Sequence, residues 1–167
     1  SLLASSAAPY VATEDSSNPI WSAYDDDCVH YIDVLTLLRS RQVRPIVLAA
    51  IRNGFDVEEM RKLLHFLVSL TVRYQTIGRK RTGKLEIECA QAARSISIGA
   101  NSFDVVHQLS HVVPDDEEFA ADFLRYSEGI SKRAIYILLG LEAVCRFGKY
   151  HVEFINQSLA DSPSVRF

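Results

Sequence analysis

The stretch that decides the reading of this chain is Phe55-Asp56-Val57-Glu58-Glu59-Met60 and its continuation to Gln75, FDVEEMRKLLHFLVSLTVRYQ. Asp56 and Glu59 have the spacing of a capping box. The first side chain accepts from the third backbone N–H, and the other reaches back to the cap. Phe55, just before the cap, is placed to pack on Met60 as a hydrophobic staple. Met60, Leu63, Leu64, Leu67, Leu70 and Tyr74 then recur at helical spacing. A long amphipathic helix over about 57–75 follows.

The same logic runs outward in both directions. Upstream, Asn18-Pro19 reads as a cap followed by a first-turn proline. Cys28, Ile32, Leu35 and Leu38 then predict one helix from Pro19 to Ser40, with Asp25, Asp26 and Asp27 inside it as a solvated patch. Pro45 opens a short helix that Gly54 closes. Downstream, helices are predicted over about 82–98, from Asn101 or Ser102 to His111, and from Pro114 to Gly129. Phe119, Phe123 and Tyr126 face inward on the last of these. Ser131 begins a final helix, with Ala134, Ile137, Leu138, Leu141 and Cys145 as its stripe and Gly148 as its stop. Little of the chain alternates with period two, apart from a short extended piece at 152–155. The expected fold is all-α, six or seven helices packed as antiparallel hairpins. Residues 1–18 form a lead-in (a short helix or a loose segment), 19–148 the helical domain and 149–167 a linker.

Composition narrows the function classes. The 167 residues suffice for one domain with a core, and 48% hydrophobic with 23% charged residues is ordinary globular composition. A net charge of -3 argues against a wholesale electrostatic grip on DNA, so any basic function must be local. Cys28, Cys89 and Cys145 form no CxxC pair, which suggests neither a zinc knuckle nor a disulfide framework. The simplest setting is reducing and cytoplasmic. No apolar run reaches membrane-spanning length, and the start lacks a signal-peptide pattern. The sole methionine is Met60, so a piece of a longer protein is expected.

Three constellations could carry chemistry. His107 and His111 have the i, i+4 spacing of a helical zinc site, but Gln108 stands where a general-base Glu would follow, and no third ligand is marked. The cysteines sit among apolar neighbours, the setting of buried inert thiols. The third is Gly78-Arg79-Lys80-Arg81-Thr82-Gly83-Lys84. It resembles a phosphate loop in its two glycines and lysine. However, Leu85 replaces the magnesium-binding hydroxyl, and a helix rather than a strand precedes it. It reads as a turn between helices. Arg73, Arg79, Lys80, Arg81 and Lys84 are the candidates for contact with nucleic-acid phosphates.

Three segments, RPIVLAAIRNG (44–54), LLHFLVSLTVRYQTIGRKRTGKLE (63–86) and SKRAIYILLGLEAV (131–144), resemble the helical middle region of GmrSD-type restriction enzymes. The matching features are Pro45, Arg73 with the turn 78–84, and Leu141-Glu142. The resemblance implies a ParB-like nucleotide domain upstream and an HNH nuclease downstream, so nucleotide and divalent metal would belong to those flanking domains. The nucleotide domain's DGQQR-like signature is absent here. At the place of the nuclease's EHILP-like motif stands Val152-Glu153-Phe154-Ile155-Asn156, with Phe154 for the histidine. The expected role is therefore a non-catalytic scaffold between flanking domains of one polypeptide, meeting DNA through the basic turn. A free-standing protein–protein adaptor and a metal enzyme built on His107 and His111 are the alternatives.

Overall fold

The computed structural model describes residues 2–129 and 131–147, with side chains over 7–129 and 131–143. The expected extended piece at 152–155, the linker 149–167 and the stop at Gly148 lie outside the described residues. The chain divides into two compact units, Ser1–Tyr126 and Ser127–Phe167.

The architecture is all-α. Eight α-helices occur among the described residues: α1 (Leu2–Ala12), α2 (Asp26–Leu37), α3 (Arg44–Arg52), α4 (Val57–Thr71), α5 (Thr82–Ser97), α6 (Ser102–Leu109), α7 (Asp116–Arg125) and α8 (Lys132–Phe147). Short 3-10 turns cover Pro19–Ala23 and Ser110–Val112, and a π-helical segment, Val72–Ile77, continues α4. No described helix is long and apolar enough to cross a membrane.

In the first unit α4 is the central element. Asp56 caps it, accepting from Glu59 N–H at 2.8 Å. Met60, Leu63, Leu64, Leu67 and Leu70 are fully buried. Burying each such side chain is worth about 1.5–3 kcal/mol, so this row alone outweighs any surface ion pair. The main packing runs between alternate helices: α2 against α4, α3 against α5, and α4 against α6, with α5 also against α6. Cys28, Ile32, Leu35 and Leu38 bury along α2, as their spacing predicts.

The expected helix 19–40 is interrupted. Pro19–Ala23 forms a 3-10 turn capped by Asn18, which accepts from Ile20 N–H at 3.1 Å. Its Trp21 is buried and donates Nε1–H to the Ala12 carbonyl at 2.9 Å. Tyr24 leaves the helical region, and Asp25 restarts the chain as the cap of α2. Asp25 is thus not a solvated mid-helix acid. It accepts from Cys28 N–H at 3.0 Å and from Arg61 Nε at 2.7 Å.

α7 also departs from expectation. Its aromatic spacing predicts an inward face, yet none of its residues is buried, and Leu124 is 87% exposed. In the second unit, Ser131 receives the Ala134 N–H at 3.2 Å and donates to Glu128 at 2.9 Å, which fixes the start of α8. Among the described side chains of α8 the buried ones are Tyr136 and Ala143, two turns apart, whereas Leu138 and Leu141 are exposed. The stripe is therefore displaced from the expected one. The Cys145 side chain lies outside the described set.

Candidate functional site: the basic turn

The turn is built by the end of α4. From Val72 to Ile77 the helix widens to π geometry, a feature that often accompanies functional sites. Tyr74, Thr76 and Ile77 are buried there. The widened turn closes at Gly78, whose N–H donates to the Arg73 carbonyl at 3.1 Å. A Cβ on Gly78 would sit 2.6 Å from that carbonyl oxygen and 3.4 Å from Asp122 Oδ2, so only glycine fits. Arg79 follows in the left-handed region at φ 46, a conformation that costs a non-glycine residue about 1–2 kcal/mol. Lys80 N–H donates to the Tyr74 carbonyl at 3.0 Å, and Tyr74 Oη–H donates to the Arg81 carbonyl at 3.0 Å. Thus the backbone of the turn is fixed from inside by one buried tyrosine. Gly83 lies inside the first turn of α5, within the helix expected from about 82.

The five basic side chains divide into two groups. Arg73 reaches α7: Nη1–H donates to the Pro114 carbonyl at 2.9 Å and Nη2–H to Asp116 Oδ1 at 2.6 Å. Its guanidinium also lies 4.8 Å from the centroid of Phe119. Lys80 pairs with Glu118. The hydrogen bond to Glu118 holds the Lys80 pKa above its ordinary value, against partial desolvation and with help from Asp122. Arg79 stands 5.4 Å from the centroid of Tyr126. Arg81 and Lys84, in contrast, have exposed side chains at the start of α5.

Sequence reasoning missed the neighbouring loop Arg39-Ser40-Arg41-Gln42. Ser40 is buried, with Oγ 2.8 Å from Thr71 Oγ1 and donating to Gln75 Oε1 at 3.1 Å. Gln75 Nε2–H donates in turn to Gln42 Oε1 at 2.6 Å, and Gln42 Nε2–H reaches Glu86 Oε1 at 3.4 Å. This polar chain docks the loop against the π segment and the start of α5. Arg39 (φ 55) and Arg41 are exposed on it. The available signal was three arginines, 39, 41 and 44, in six residues without an acid.

The His107 ring stacks on Phe103 with centroids 6.5 Å apart. His111 lies on the 3-10 turn beyond α6, with Nδ1 2.8 Å from the Gln108 carbonyl and Nε2 3.4 Å from Glu88 Oε1. Among the described residues no group of three or more His, Cys, Asp or Glu could hold a metal ion. Burial pushes the Cys28 and Cys89 thiols up to about 12, so neither is a thiolate at neutral pH. What the turn offers chemically is positive charge on a preformed backbone. Comparison with protein-family models, with curated proteins and with solved structures gave no match.

Proposed function

We propose that this chain is a non-catalytic helical connecting domain of a larger, DNA-directed protein resembling the GmrSD-type restriction enzymes, and that its basic turn meets the phosphate backbone. In this reading its partners are flanking domains of the same polypeptide, and those domains carry the nucleotide and divalent-metal chemistry. The observation that supports the phosphate contact is the turn itself. A strained Arg79, with Arg81 and Lys84 exposed beside it, stands on a backbone locked by Tyr74 and Gly78. Strain held in place by surrounding structure is characteristic of functional loops.

The test is duplex-DNA binding by the full chain across a salt series, wild type against Arg81→Ala/Lys84→Ala. These two side chains lie apart from the α7 contacts, so the change acts on phosphate recognition alone. The logarithmic salt slope should fall by up to about 0.9 for each contact removed. An unchanged slope would sink the phosphate contact.

A second reading has its own observation. An open groove of about 500 Å3 lies between α4 and α6, lined in part by His65, Phe66, Phe103 and Val106, with Phe103 74% exposed. Such a groove suits a protein adaptor. Under that reading Phe103→Ala would abolish partner capture while leaving the salt slope for DNA untouched.

A further inference from the structure

The side chains that would meet phosphate are in part already facing an anionic partner within the chain. We propose that α7 is an acidic strap over the basic turn, occupying by intramolecular contact the cations that a nucleic-acid backbone would otherwise engage. The proposal rests on the reading of the turn as a phosphate contact and adds its regulation.

Four observations carry it. First, the contacts are spaced along the strap: Asp116 on Arg73, Glu118 on Lys80, and Asp122 over Gly78. Glu118 and Asp122 lie about one helical turn apart, with Asp116 at the first residue of the helix, so three carboxylates present negative charge to the turn. Second, aromatic faces add to the carboxylates, with Phe119 beneath the Arg73 guanidinium and Tyr126 beside Arg79. Third, little else holds the strap. No residue from Asp116 to Arg125 is buried, and its principal neighbour is the π segment 72–77. Exposed ion pairs are worth about 0–1 kcal/mol each and weaken with salt. A helix held by such pairs and by two cation–aromatic contacts, with no buried side chain of its own, opens at low cost, while the α4 core stays closed. Fourth, the strap has a fixed root. Val112 and Pro114 are buried just ahead of it, so release swings α7 about Asp115 without disturbing the core.

A polyanion and α7 therefore compete for Arg73 and Lys80, and each weakens the other's hold by the same factor. The device sets a threshold, since only a ligand with enough phosphates to displace the strap gains the full set of cations.

The experiment uses the full chain in three forms: wild type, Asp116→Asn/Glu118→Gln, and the charge-matched control Asp33→Asn/Glu117→Gln. Asp33 and Glu117 are exposed. Amide hydrogen exchange is followed over α7 and α4, and binding of a 20-base-pair duplex is measured at one salt concentration. The expected result is faster exchange confined to α7 and binding tighter by on the order of tenfold in Asp116→Asn/Glu118→Gln, with the control within about threefold of wild type. Exchange over α7 as slow as over α4 in both wild type and variant would overturn the strap. An equal gain in the control would reduce the effect to net charge and also overturn it. If α7 loosens but no form binds DNA, the phosphate reading fails and the competition with it.

Discussion

Arg73 and Asp116 stand 43 positions apart in the chain and meet with Nη2 and Oδ1 2.6 Å apart. The two ends of this pair are unequal. The Asp116 side chain is 91% exposed and that of Arg73 only 27%. Coulomb attraction at so open a carboxylate is largely screened. Arg73 also holds the Pro114 carbonyl and covers Phe119. Arg73→Ala should therefore cost about 1–2 kcal/mol, summing a hydrogen bond and a cation–π contact. Asp116→Ala should fall within the error of the same urea titration. Equal losses would mean that the ion pair dominates.

The two glycines of the turn should respond oppositely to alanine. At Gly78 an added Cβ meets the Arg73 carbonyl at 2.6 Å, and a backbone atom cannot yield as a side chain can. Gly78→Ala should destabilise by about 2–3 kcal/mol. At Gly83 an added Cβ has nothing within 4 Å and lies on a helix. Gly83→Ala should be neutral or stabilise by up to about 0.5–1 kcal/mol. Denaturant midpoints of the two variants decide the matter. A neutral Gly78→Ala would mean that the π segment rearranges freely.

Asp25 ties stability to acid. Its partial burial works to raise the pKa, but the hydrogen bonds from Cys28 N–H and Arg61 outweigh it, and the carboxyl is held below its ordinary value. A depressed folded value stabilises the protein above the unfolded value of about 3.9, and the contribution is lost as pH falls through the folded pKa. Asp25→Asn keeps a capping oxygen but loses the charge toward Arg61. The stability difference between wild type and this variant should persist at neutral pH and close below about pH 4. A difference independent of pH would mean that the carboxylate matters only as a cap. Asp25→Ala should lose about 1 kcal/mol through the cap.

The buried thiols give a readout of the core. Peptides carrying Cys28 and Cys89 should remain unmodified by iodoacetamide at pH 8 in the native protein and become fully modified in urea. Labelling of Cys89 in the native state would show that α5 opens from α3 and α6 under native conditions.

What the sequence made legible was local. Asp56 specifies its helix start locally and accepts from Glu59 N–H as expected, and Asn101, one of two expected caps, caps α6 in a capping box with Asp104. The Met60–Leu70 row needs only its own period to mark a core. Long-range partners decided the rest. Asp25 reads as one of three equivalent acids until Tyr24 leaves the helix and Arg61, 36 positions away, arrives beside it. Phe119 has the spacing of a core residue, but its face is met by a guanidinium. Of the candidate basic residues the sequence marked all five by composition. It could not say that Arg73 and Lys80 are drawn onto α7, because that depends on the direction in which α4 ends.

That direction is set by the widened turn at Val72–Ile77. Each residue in an α-helix advances by about 100° around the axis. A π segment carries one residue more per hydrogen-bonded loop than its neighbours. It therefore acts as a phase shifter between the core row of α4 and everything after it. Leu70 keeps its place in the core while Arg73 points to α7 and Gln75 to Ser40, a division that an unbroken α-helix would rotate out of register. Removing a single residue between 72 and 77 would leave composition and charge almost untouched and still turn the basic loop by about a quarter of a revolution. In this chain the position of the positive charge is thus encoded by residue count as much as by residue identity.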